Sequence, residues 1–258
     1  MSYSDPSAGR MSMSIGALLD AARTWDLYDN SIDQPHPMPW FYTGARYENW
    51  WGSGVKFDQL HGLVKEHGIP VAWVPPADVL RLLVAAPDSH DAKLDVLVAA
   101  EADIRQLCHQ RVTESDHDWL EDYPRTARLV MAAWDDGHVQ AAACLALAGA
   151  EDLMFRVARV DRSKNYHGLT EEARREPSDW LPHLQLLLTP INTLFTSYFA
   201  HKNDPIPANL SRHAVLHTLP LDHLNHGHSI VAIMLLISLL RQAQQDAMES
   251  SEEWFEPE

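Results

Sequence analysis

Cysteine is nearly absent: Cys108 and Cys144 are the only two in 258 residues. A disulfide framework and a cysteine-rich zinc site are therefore both excluded. Positive charge is also scarce, with 20 Lys and Arg against 36 Asp and Glu and a formal net charge of −16. So acidic a surface repels nucleic acid on average, and any phosphate contact depends on a local basic patch. No unbroken apolar run approaches the roughly 18 residues of a membrane-spanning segment. The longest, Ile230 to Leu240, is interrupted by Ser238. The opening residues MSYSDPSAGRMSMS lack a charged-then-apolar leader pattern. These absences set the expectation of a reduced cytoplasmic protein, with no membrane and no DNA partner.

What is present is a normal apolar fraction, 46%, enough for a sizeable core. Residues 1–14 are small and polar and are expected to be disordered. Ile15, Leu18, Leu19, Ala22 and Trp25 recur at helical spacing. Residues 33–56 carry Pro35, Pro37 and Pro39 among Trp40, Phe41, Tyr42, Tyr47, Trp50 and Trp51. This pattern reads as an irregular arm pinned to the body by aromatics. A helix is expected from Phe57 to His67, stopped by Gly68, then an extended stretch from Ile69 to Val74. Pro76 suits the first turn of a helix reaching Ala86, and Ser89 can cap another over residues 91–112.

The remainder reads as a helical bundle over residues 91–247, closed by an acidic tail at 248–258. Helices are expected at Tyr123–Asp136, His138–Val160, Trp180–Phe199 and Gly227–Gln245. Residues 141–150 are mostly small, so a second backbone can approach them closely, from within the bundle or from another subunit. Six acids and no base lie between Asp246 and Glu258, which predicts a mobile end. The fold class is thus mainly α, with a 15–90 extension ahead of the bundle.

Asn209-Leu210-Ser211-Arg212-His213-Ala214-Val215-Leu216-His217 sets ionisable groups beside apolar ones just ahead of the main core helix. His213 and His217 are four apart and share a helical face. Arg212 and His217 would stand about 140° apart on a straight helix. One site can hold both only if Arg212 begins the helix.

Arg212-His213-Ala214-Val215-Leu216-His217 resembles the Arg-x4-His motif of HEPN domains, a superfamily of small helical bundles that includes many ribonucleases. The resemblance covers about the last 60% of the chain. It implies a metal-independent endoribonuclease, of toxin or phage-defence type, acting as a homodimer and leaving a 2′,3′-cyclic phosphate. In that reading Arg212 stabilises charge on phosphorus, His217 serves as base or acid with His213 as the polar second residue, and Glu151 accompanies the pair. No cofactor and no metal are implied; the partners are RNA, a second copy and an antitoxin or other protein. Members of the superfamily that have lost catalysis imply the alternative, a nucleotide- or protein-binding scaffold in which Arg212 and Glu151 only brace helices.

Two further features bear on the choice. Arg156, Arg159, Arg162 and Lys164 make a basic stripe on the extension of the 138–160 helix, the best RNA backbone track in so acidic a chain. Acids nearby also allow a merely solvated face. His213, His217, His223, His226 and His228 lie within sixteen residues. The first two have the spacing of zinc ligands on one helix turn, but no Glu stands between them as in a metalloprotease. The other three read equally well as solvated loop histidines. Gly52-Ser53-Gly54 lacks phosphate-loop spacing and reads as a turn.

Overall fold

The computed structural model describes residues 47–120, 122–157, 182–195, 198–218 and 222–252. The expected 15–28 helix, most of the aromatic arm and the end of the acidic tail lie outside them. Among the described residues the chain forms ten α-helices and no strand. They are α1 (Glu48–Trp51), α2 (Phe57–His67), α3 (Ala77–Ala85), α4 (His90–Ala99), α5 (Glu101–Thr113), α6 (Tyr123–Asp135), α7 (Val139–Val157), α8 (Pro182–Leu194), α9 (Arg212–Thr218) and α10 (His226–Glu252). The protein is mainly α, a helical bundle.

The axle is α10. Residues Ile230 to Leu240 are all buried, Ser238 included, so this helix has no wet face over three turns. A helix that is apolar all round belongs at the centre of a core. Ser238 survives there because its hydroxyl donates to the carbonyls of Ala72 (2.6 Å) and Met234 (2.8 Å). By length and composition α10 could cross a membrane, the one such helix among the described residues, and most of it is buried by the other helices.

The small residues of α7 are what let it lie along α10, its largest neighbour. Ala142, Ala143, Ala146, Leu147 and Ala150 are buried. A Cβ on Gly149 would sit 3.3 Å from Leu236 and 3.4 Å from Thr126. One face of this stretch is therefore filled from within the chain, while Ala141, Leu145 and Ala148 on the other face are exposed. Helix α6 packs on both α7 and α10.

Residues 47–90 join the same core. Helix α2 packs on α8, and its end depends on Gly68, which takes the left-handed φ of 63° with Thr193 Cγ2 only 3.0 Å from where a Cβ would project. Ile69 to Val74 are all buried, and the stretch crosses the core as irregular chain, not as a strand. Tyr47 packs edge-on to Trp73 at 5.3 Å, and Trp50 and Phe57 meet at 6.1 Å. The aromatics at 47 and 50 do pin this region, but Glu48–Trp51 is a helical turn rather than irregular chain, and Trp51 is exposed.

Four boundaries differ from expectation, the first being the helix expected to reach Phe199, which stops at Leu194. The single 91–112 helix is two, α4 and α5, divided at Ala100, whose φ and ψ are −98° and 14°. Pro76 is the cap before α3, not its first residue. The helix expected to stop at Gln245 runs to Glu252, because Gln242 Nε2 donates to Asp246 one turn on (2.8 Å) and Ala243 and Ala247 remain buried. The start of the acidic segment is thus helix.

Candidate functional site

Helix α9 is short, and its first residue is Arg212. Ser211 caps it: the Ser211 hydroxyl accepts from the Ala214 amide (3.3 Å) and its carbonyl from the Val215 amide (3.0 Å). Ala214 and Val215 anchor the helix in the core, while Leu216, His217 and Thr218 are exposed. The four sequence-nominated residues fall on two elements that touch, α9 and α7.

Arg212 Nη2 donates to Glu151 Oε2 at 2.6 Å, with the two side chains 16% and 20% exposed. Starting the helix frees the long arginine stem to reach α7. His213 and His217 lie ring beside ring, centroids 5.8 Å apart and planes tilted by 31°. Burial, then the positive Arg212, then His217 lower the proton affinity of His213, and Glu151 opposes them in part. His213 is thus a neutral imidazole at neutral pH. The cluster holds a fixed guanidinium, a carboxylate, a half-buried neutral imidazole and an open one.

The basic stripe cannot be set beside this cluster. Arg159, Arg162 and Lys164 lie outside the described residues, as does the side chain of Arg156.

Two of the three loop histidines depart from the solvated reading, while the His226 side chain stays 42% exposed. His223 is 6% and His228 3% exposed. His228 stands in the first turn of α10, where its amide is capped by Asn225 Oδ1 (2.9 Å). Its Nδ1 donates to the His223 carbonyl (2.5 Å) and its Nε2 faces His90 Nε2 at 2.7 Å. The His90 ring stacks on His67, and His67 Nε2 is 3.2 Å from Asp88 Oδ1. His226 turns the other way, to Glu101 Oε2 at 2.9 Å, where Trp134 Nε1 also donates to Oε1 (2.6 Å). The five histidines named for a metal are thus dispersed among three settings. Glu66, His67 and Asp88 do bring ligand atoms within 4.8 Å of one another, with both acids exposed.

Burial and the neighbouring rings hold His90 and His223 at pKa values of about 4, and His228 below its ordinary value. A chain of mostly neutral imidazoles therefore runs from the end of α2 to the start of α10. Its last member reaches the motif: the Ser211 amide donates to His223 Nε2 at 3.0 Å. Spacing within 213–228 could not reveal this chain, because His90 lies far off in sequence.

No family model, curated protein or solved structure matches the chain.

Proposed function

We propose that Arg212, His213, His217 and Glu151 form a metal-independent ribonuclease centre of HEPN type in a cytoplasmic protein. The observation that carries the reading is the gathering of these four side chains at α9 and α7, with His217 open to water. RNA cleavage without a metal needs a base for the 2′-hydroxyl proton, an acid for the leaving oxygen and a cation for the charge on phosphorus. His213, held neutral by burial and by Arg212, suits the base. It takes the 2′-hydroxyl proton as the 2′-oxygen bonds to phosphorus. The bond from phosphorus to the 5′-oxygen breaks, and that oxygen takes a proton from His217. The products are a 2′,3′-cyclic phosphate and a free 5′-hydroxyl. Arg212, positioned by Glu151, brings its positive charge to the phosphate oxygens. The centre lies within one chain, so the reading does not require the second copy that the resemblance implies.

The test is cleavage of a structured RNA in EDTA. The wild-type chain is expected to leave 2′,3′-cyclic phosphate ends. His217→Ala is expected to lose at least a hundredfold in rate, in the range of lost general acid–base catalysis, with an unchanged melting temperature. Undiminished cleavage by that variant would defeat the assignment.

One observation favours a second reading. Arg212 is already saturated on one edge by a short, largely buried ion pair, as in a helix brace. In that reading the bundle is a binding scaffold. Absence of turnover by the wild-type chain, with stable capture of a nucleotide or protein, would decide for it.

A further inference from the structure

Ser211 is the hinge between the motif and the rest of the bundle. Its hydroxyl and carbonyl both serve α9, so the direction in which Arg212 and His213 leave the backbone follows from where Ser211 is held. Ser211 is wholly buried, and its amide has no water to turn to. An amide so placed must find an acceptor. It finds one in a side chain, His223 Nε2, rather than in another turn of helix.

An N–H donor needs a lone pair opposite it, so this contact exists only while His223 Nε2 carries no proton. The surroundings keep it so. The His223 carbonyl accepts from His228 Nδ1, and the two rings meet edge-on at 5.0 Å. His228 is held in turn by His90 through the 2.7 Å contact between their Nε2 atoms. His90 stacks on His67. Four segments of the chain thus converge to fix one lone pair on one amide: the end of α2, the start of α4, the 222–225 turn and the start of α10. Neither His223 nor His90 touches Arg212, Glu151, His213 or His217 by any bond described above.

We infer that His223 is a positioning residue for the centre proposed above, acting through the Ser211 amide to aim α9. The inference rests on that reading for its catalytic consequence but not for its structural one. Removing the acceptor leaves a buried amide unsatisfied and loosens the cap. Gln in place of His puts an amide oxygen at a reach similar to Nε2 and restores the acceptor without a ring. A role in packing alone would leave both variants impaired, since Gln lacks the ring that fills the space.

The experiment is hydrogen–deuterium exchange on the full chain at pH 7, reading the peptide that spans 210–218, beside RNA cleavage by the same samples. His223→Ala is expected to speed exchange there on the order of tenfold, the loss of one buried hydrogen bond. His223→Gln is expected to return it to within about threefold of wild type. Cleavage is expected to follow the same order through kcat, with KM little changed. Wild-type protection of 210–218 in the Ala variant would overturn the inference, as would equal loss in Ala and Gln variants that both stay folded by circular dichroism. If none of the three cleaves RNA but exchange follows the expected order, the ribonuclease reading falls and the aiming of α9 by His223 stands.

Discussion

Arg111 and Arg212 each reach across to glutamate, and the two pairs keep different company. Arg111 is 4% exposed. Its guanidinium meets Glu114 at 2.7 Å and Glu48 at 3.0 Å, and its Nε donates to the Trp73 carbonyl. Arg241 lies over the other part of this cluster, 4.4 Å from the Trp73 ring, and Trp73 Nε1 donates to Gln242. Trp73 itself holds a φ of 65°, a conformation a bulky residue keeps only where its surroundings dictate it. Arg212 meets Glu151 with its side chain 16% exposed, and two imidazoles share its short helix. The same pair of charges locks a core in one place and leaves reactive groups at the rim in the other. What separates them is the company: tryptophan and glutamine around Arg111, an open histidine beside Arg212.

The contrast breaks most visibly if the two arginines are removed in turn. Arg111→Ala is expected to lower unfolding free energy by about 3 kcal/mol, the low end for a broken buried pair because its glutamates are wetter than it is. Arg212→Ala is expected to cost about 1 kcal/mol. Urea midpoints measure both. RNA cleavage sharpens the test: it is expected to survive Arg111→Ala in the folded fraction and to disappear in Arg212→Ala. Equal stability losses would erase the distinction between brace and site.

A second difference is titratable. Behind α9 it is the histidines His90 and His223 whose protonation folding alters. An exposed histidine in the unfolded chain binds its proton near pH 6.5. His223 and His90 in the folded chain bind theirs only at about 4. Below 6.5 the unfolded state therefore holds protons that the folded state does not. The stability is fully present above about pH 6.5 and is lost as pH falls toward 4. The loss expected from His223 alone is on the order of 2 kcal/mol. Chemical denaturation at pH 7.5 and 5 measures it, and His223→Gln is expected to shrink the difference between the two pH values. An unchanged difference would mean that the ring is charged when folded.

Where the chain punctuates itself, its fold is readable. Phe57–His67 ends at Gly68 because that residue alone supplies the left-handed turn, and Tyr123–Asp135 ends before Gly137, at φ 81°, for the same reason. The break at Ala100 has no such mark. Residues on both sides favour helix, and Glu101 starts a new one where its carboxylate meets Trp134 and His226 from other parts of the chain. The continuation past Gln245 was hidden by charge: six acids read as a tail until Gln242, Ala243 and Ala247 tie the first of them to the bundle. At the site, the four-residue spacing of His213 and His217 predicts their shared face. The burial of His223 and His228 is not written locally, because the partner of His228 is 138 residues away. The one local clue was Ser211, a helix-capping residue directly before Arg212.

The smallest expected effect is the one that divides bracing from chemistry at the site itself. Glu151→Gln keeps the shape of the side chain and one acceptor oxygen for Arg212 Nη2, and it removes only the charge. With both partners partly wet, the stability change is expected to stay within about 1 kcal/mol. If Glu151 is a brace and nothing more, that small loss is the whole result. In a working centre the same change does more. The negative charge that partly offsets the lowering of His213's pKa is gone, so His213 binds its proton still more weakly and the acid limb of the rate–pH profile moves to lower pH. Arg212, released from its ion pair, is also freer to swing, and the rate at the optimum is expected to fall about tenfold. A shift of the limb without change in melting temperature ties Glu151 to the chemistry of the histidine. A drop in melting temperature with an unmoved limb makes Arg212–Glu151 a second copy of the Arg111 lock.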